Sequence, residues 1–152
     1  MLAHLLLPAC TRGCSLSPVR LGPHLSPVNV VEAQLHALQK GDVGRCFAFA
    51  SPENRRATGP WQRFEMMVRQ TPAYAPLVGC SSFSVLSALA LDDERYRCCV
   101  RMRPAGSSSA PFAVAAVSCD YVWELRKVCE ADGEESCWMT DGVMPDRSPL
   151  ET

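Results

Sequence analysis

Past residue 25, apolar positions recur at helical spacing, and after residue 80 they switch to alternation. Ser26 stands where a helix cap is expected, Pro27 occupies the first helical position, and Val28, Val31, Leu35 and Leu38 share one stripe. Together they predict an amphipathic helix closed by Lys40-Gly41. Asp42 then caps a short second helix with Val43, Cys46, Phe47 and Ala50 as its apolar side, ending before Ser51-Pro52. The stretch through Asn54 and Arg56 reads as a turn leading to Thr58-Gly59-Pro60, where proline pre-sets a third helix carrying Trp61, Phe64 and Val68 inward. Residues 80 to 91 are rich in Val, Leu, Phe, Ser and Ala and end at Asp92-Asp93, which predicts a first strand and a turn.

From Arg95 to Arg103 the alternation is clean, with Tyr96, Cys98, Val100 and Met102 on one face and four arginines on the other. Pro104 to Pro111 reads as a loop, and the next strand is expected from about Phe112 to Val128. That strand places Cys119, Tyr121, Trp123 and Leu125 inward and Asp120, Glu124 and Arg126 outward. A hairpin closed symmetrically about the loop sets Arg95 opposite Asp120 and Tyr96 opposite Cys119. Asp132-Gly133 predicts a tight turn returning through Cys137-Trp138-Met139. Three helices followed by antiparallel strands define an α+β domain, a sheet wrapped over helices.

Composition narrows the function classes. The chain has 152 residues, 47% hydrophobic and 20% charged, enough for one domain with a real core. A net charge of −1 gives no basic surface for nucleic acid. No run reaches the length of a membrane span. Before Glu32 there is no acidic residue, and residues 1–25 are rich in Ser, Leu and Pro with Arg12 and Arg20 their only charges. That is the composition of a cleavable organelle-targeting peptide, with a disordered tail as the alternative. Its removal would leave a net charge of −3. The Ser-rich, weakly charged leader favours a chloroplast over a mitochondrion, with a cytoplasmic location as the remaining alternative.

Nine cysteines do not form a metal or disulfide framework by spacing: no CxxC occurs, and His4, His24 and His36 all precede residue 40. Buried reduced thiols are the direct reading. No cofactor motif is present, neither P-loop, dinucleotide glycine pattern nor GxSxG.

The segments SPVNVVEAQLHALQKGD at 26 to 42, FASPENRRATGPWQRFEMMV at 49 to 68, YVWEL at 121 to 125 and CWMTDGV at 137 to 143 resemble, in order and spacing, domain-of-unknown-function family 4864 of the nuclear transport factor 2-like superfamily. The resemblance spans residues 26–143, leaving 144–152 as a tail. It implies a cone-like fold with three N-terminal helices on a strongly curved antiparallel sheet, and a pocket between the two. The relatives' plant and algal character is a second reason to expect a plastid. It implies no reaction and no catalytic residue.

Within that expectation Trp61, Tyr96, Tyr121, Trp123 and Trp138 are the inward aromatics that would line a pocket. Glu65 is the best placed carboxylate for an isomerase, dehydratase or hydrolase, with Tyr121 as oxyanion donor. Pairing of Glu65 with Arg69 at the i,i+4 spacing is the structural alternative. Arg95, Arg97, Arg101 and Arg103 form the candidate interface for a homodimer or other partner. A module binding a small ligand or a protein partner is expected ahead of an enzyme.

Overall fold

The computed structural model describes residues 18–106, 117–129 and 135–147. Helix α1 spans Pro27–Gln39, α2 Val43–Phe47, α3 Pro52–Thr58 and α4 Trp61–Gln70, followed by a 3-10 turn at Ala75–Leu77. Strands β1 Ser82–Ala90, β2 Arg95–Arg103, β3 Cys119–Cys129 and β4 Ser136–Pro145 form one antiparallel sheet in the order β1-β2-β3-β4. Helices first and strands second is the α+β order that the sequence predicts.

Local chemistry accounts for the helix ends. Ser26 Oγ accepts from the Asn29 amide, and the Asn29 side chain accepts from the Ser26 amide, a reciprocal capping box ahead of Pro27. At the other end Gly41 adopts φ +75°, the left-handed turn that lets its amide and that of Asp42 reach the carbonyls of Leu38 and Ala37. Asp42 caps α2 by accepting from the Arg45 amide.

The segment read as a turn is in fact a fourth helix, α3. Ser51 caps it and Pro52 starts it, yet none of its seven residues is buried. A helix without an apolar stripe has no periodicity to detect, so only the cap announces it. Ser51 itself is fully buried, because its amide donates to Thr140 O while the Thr140 amide donates to Phe49 O. Residues 49–51 thereby bridge the outer edge of β4 at Thr140.

The core lies where α1 crosses the inner face of the sheet. Val30, Val31 and Leu35 pack in one cluster with Cys98, Val100, Met102, Tyr121, Trp123 and Leu125. The buried stripe of α1 is rotated from the one expected: Val30, Gln34 and Ala37 join it, while Val28 is half-buried.

The β2–β3 register also differs from the symmetric hairpin. Arg95 faces Arg126 and Tyr96 faces Leu125, whereas Asp120 faces Arg101 and Cys119 faces Met102. β3 begins at Cys119 rather than Phe112, so the connection is longer than assumed. The slip is six residues, an even number, and every side chain keeps its face. Phe112, most of the serine-containing loop, the Asp132-Gly133 turn, residues 1–17 of the expected leader and residues 148–152 lie outside the described residues.

Candidate functional site

A cavity of about 230 Å³ lies between the helices and the sheet. Trp123, Thr140, Gly142 and Val143 form its sheet side; Leu38, Cys46, Phe47, Phe64, Met67 and Val68 supply most of its apolar helical wall. Phe47 and Phe64 hold their rings 5.1 Å apart across α2 and α4. Met67 is 40% exposed and marks the solvent side.

The polar groups of this wall sit in a defined network. Gln34 reaches it from α1: its Oε1 accepts from Trp123 Nε1 at 3.1 Å and from Thr140 Oγ1 at 2.6 Å, and its Nε2 donates to Cys46 O at 3.0 Å. Asn54 Nδ2 donates to Thr140 O, Thr58 Oγ1 to Asn54 O, and Tyr74 Oη to Val143 O. These bonds orient Asn54, Thr58 and Tyr74 while leaving acceptor capacity on Asn54 Oδ1 and on the two hydroxyl oxygens, since no described residue donates to them.

Among the described residues, none that lines the cavity carries a charge. Cys46 is the one thiol in the wall, and burial, with Asp42 nearby as a smaller cause, pushes it up to about 12. It stays a neutral thiol at physiological pH and is a poor nucleophile.

Of the six candidate pocket residues, the structure brings only Trp123 to the cavity. Trp61 is 44% exposed and lies against Gly44 of α2 rather than lining the cavity. Glu65 pairs with Arg69 at 2.9 Å, the structural alternative, and Arg69 also donates to Gly41 O. Tyr121 is buried beside Trp123, but its hydroxyl donates to Ala73 O at 2.8 Å, so it has no proton to offer an oxyanion. Tyr96 and Trp138 pack edge to face with centroids 6.1 Å apart, and Lys127 Nζ lies 5.1 Å from the Trp138 ring.

Sequence reasoning missed Gln34, Asn54, Thr58, Tyr74 and Thr140. Gln34 had a signal: it lies three residues from Val31 and four from Leu38, on the buried side of the helix. The others are brought together only by α3, the 3-10 turn and β4 meeting at one point.

The arginine ladder lies on the outer face as expected, but most of it is neutralised within the chain. Arg95 pairs with Asp92 and Arg97 with Glu124, each at 2.7 Å, and Arg101 holds Asp120 through two bonds of 2.8 Å. The Arg101 hydrogen bonds keep the Asp120 carboxyl below its ordinary range. A depressed folded pKa means that this pair's contribution is present above the unfolded carboxylate pKa and fades as pH falls through the folded one. Asp120→Asn should therefore cost about 0.5–1 kcal/mol near neutrality, allowing for solvent screening. Urea titrations across pH should show the gap between wild type and variant closing in acid; a gap that widens in acid contradicts the pairing.

Helices closing one face of a curved antiparallel sheet around an apolar cavity define a nuclear transport factor 2-like α+β fold. A crystal structure of an NTF-2-like protein of unknown function from Shewanella oneidensis MR-1 shares this fold, with a TM-score of 0.51 and 12% identity over 78% of this chain and 93% of that one. The model of the domain of unknown function DUF4864 matches residues 26–130, and the chain belongs to that family. No curated protein gives a significant match. Among the described residues, no helix is long and apolar enough to cross a membrane.

Proposed function

We propose that this domain binds a small, neutral, largely apolar molecule carrying a hydrogen-bond donor, such as a hydroxyl or amide. The cavity wall carries the reading: aromatic and aliphatic side chains surround a few oriented acceptors at Asn54, Thr58 and Tyr74, with no charged residue among the described lining to hold an ionic ligand. Bringing a charged group into such a wall without a partner would be costly. Apolar cavities of about 150 Å³ admit benzene, and the larger space here suits a bicyclic ring.

Binding is favoured over catalysis because the described residues of the wall supply neither carboxylate nor imidazole, and their one thiol is held neutral. An isomerase or dehydratase would need a base at this position. Glu65, the carboxylate considered for it, does not line the cavity and is engaged by Arg69.

The test uses 2-naphthol as probe and naphthalene as a comparator lacking the hydroxyl. Isothermal calorimetry should show 2-naphthol binding more tightly, by roughly five- to tenfold for one hydrogen bond. Val143→Phe, which fills the cavity from the sheet side, should abolish binding without lowering the melting temperature. Equal binding by the filled variant would remove the cavity as the site.

A further inference from the structure

Among the described residues, β1 is the open edge of the sheet. The opposite edge, β4, is bridged by residues 49–51 at Thr140, whereas among the described residues β1 pairs only with β2. Solvent-exposed edges ordinarily carry lysine, proline or inward charges that block further pairing. From Ser81 to Leu91 this chain has no charged residue and no proline. A bulge at Leu86 is the one interruption, and Leu86 and Leu89 are 47% and 59% exposed.

The free edge has the geometry to accept a strand. The Leu91 amide donates inward to Arg95 O, so in an alternating strand the N–H and C=O groups of Ala88 and Ala90 point away from β2. Its two ends carry opposite charge. Arg103 lies beside Ser82 at one end, and Asp93 and Glu94 follow the strand at the other. None of these three side chains makes an ion pair among the described residues, although most of the neighbouring arginines do.

We propose that the occupant of this edge is a second copy of the same chain, docked antiparallel through β1 about a two-fold axis near Ala88. That arrangement sets Ser82 of one copy opposite Glu94 of the other and brings Arg103 beside the acidic turn, twice by symmetry. It also covers Leu86 and Leu89 and joins both sheets into one. A two-fold contact requires a self-complementary surface, and an edge basic at one end and acidic at the other meets that requirement in the antiparallel sense. The contact is independent of the cavity and lies along the sheet edge, away from the centre of the arginine ladder.

Sedimentation velocity on the full chain should show a species of twice the 16.6 kDa chain mass. Amide exchange should find Ala88 and Ala90 protected in concentrated samples and unprotected on dilution. Ala88→Pro, which removes an outward donor and leaves the inward ladder intact, should give a monomer with unchanged circular dichroism. Leu89→Lys, a milder change on the exposed face, should do the same and serves if the proline variant does not fold. Arg103→Glu should raise the dimer dissociation constant roughly tenfold, for two symmetric exposed contacts. Adding Asp93→Lys and Glu94→Lys to it should bring the constant back. A wild type that stays monomeric at its highest soluble concentration overturns the proposal. So does a dimer that survives Leu89→Lys, or a charge swap that restores nothing.

Discussion

Gln34→Leu should destabilise the domain by about 3–4 kcal/mol, with urea unfolding shifted to lower midpoint and the slope unchanged. Leucine fills nearly the same space, so the loss is one of polar satisfaction rather than packing. Three groups depend on the amide: the Trp123 indole N–H, the Thr140 hydroxyl and the Cys46 carbonyl. Gln34, Trp123 and Thr140 are buried to 3% exposure or less, so water has little access to replace the lost bonds. An unpaired buried donor or acceptor costs about 1–3 kcal/mol, and the threonine hydroxyl can rotate to limit its share. In a chain of this length the melting temperature should fall by roughly 6–16 °C. A double-mutant cycle with Trp123→Phe tests the cause, because removing both partners of the indole bond should cost less than the sum of the single changes. Strict additivity would show that the bond does not stabilise the fold.

Trp123→Ala is expected to be at least as severe, about 3–5 kcal/mol. Trp123 has no exposed surface, packs edge to face with Tyr121, and stands between the core and the cavity. Its removal joins the new void to the existing one, and a site already partly hollow has few neighbours able to collapse into the gap. The same geometry predicts chemical rescue. Indole supplies the missing ring and its N–H for Gln34, so it should raise the melting temperature of Trp123→Ala more than that of the wild type, by ligand-linked stabilisation. Rescue by indole but not by naphthalene would identify the Gln34 bond as part of the effect; no rescue by either would mean that the void closes.

The fold was largely legible because its signals are local. Ser26-Pro27, Lys40-Gly41 and the alternation from Arg95 to Arg103 each specify an element from neighbouring residues alone, and β2 has the bounds expected of it. Register was not legible. Alternation tells which face a residue occupies but is unchanged by any even slip, and both the symmetric hairpin and the observed one place apolar against apolar and arginine near acid. Only the pairing itself, with Met102 opposite Cys119, decides between them. α3 escaped for a different reason: it has no buried residue, and hydrophobic period is the main helix signal.

The aromatic residues marked as pocket candidates were chosen for facing inward, and facing inward is not the same as lining a cavity. Tyr121 faces inward and is packed solid, with its hydroxyl already bonded to Ala73 O. Trp61 falls near an apolar stripe, but its ring lies against Gly44 of α2, outside the cavity wall, and stays 44% exposed.

By itself, the sequence determined the α+β class, the caps of α1 and α2, the face of each inward strand residue and the Glu65–Arg69 pair, because each follows from residues within a few positions of one another. Only the tertiary structure decided the strand register, the neutralisation of most of the arginine ladder, the β1 edge left unpaired by the described residues and the cavity. Those depend on residues as far apart as Gln34 and Thr140, which meet in one hydrogen bond of 2.6 Å, and chain closure over such distances is set by the packing of the whole rather than by any local pattern.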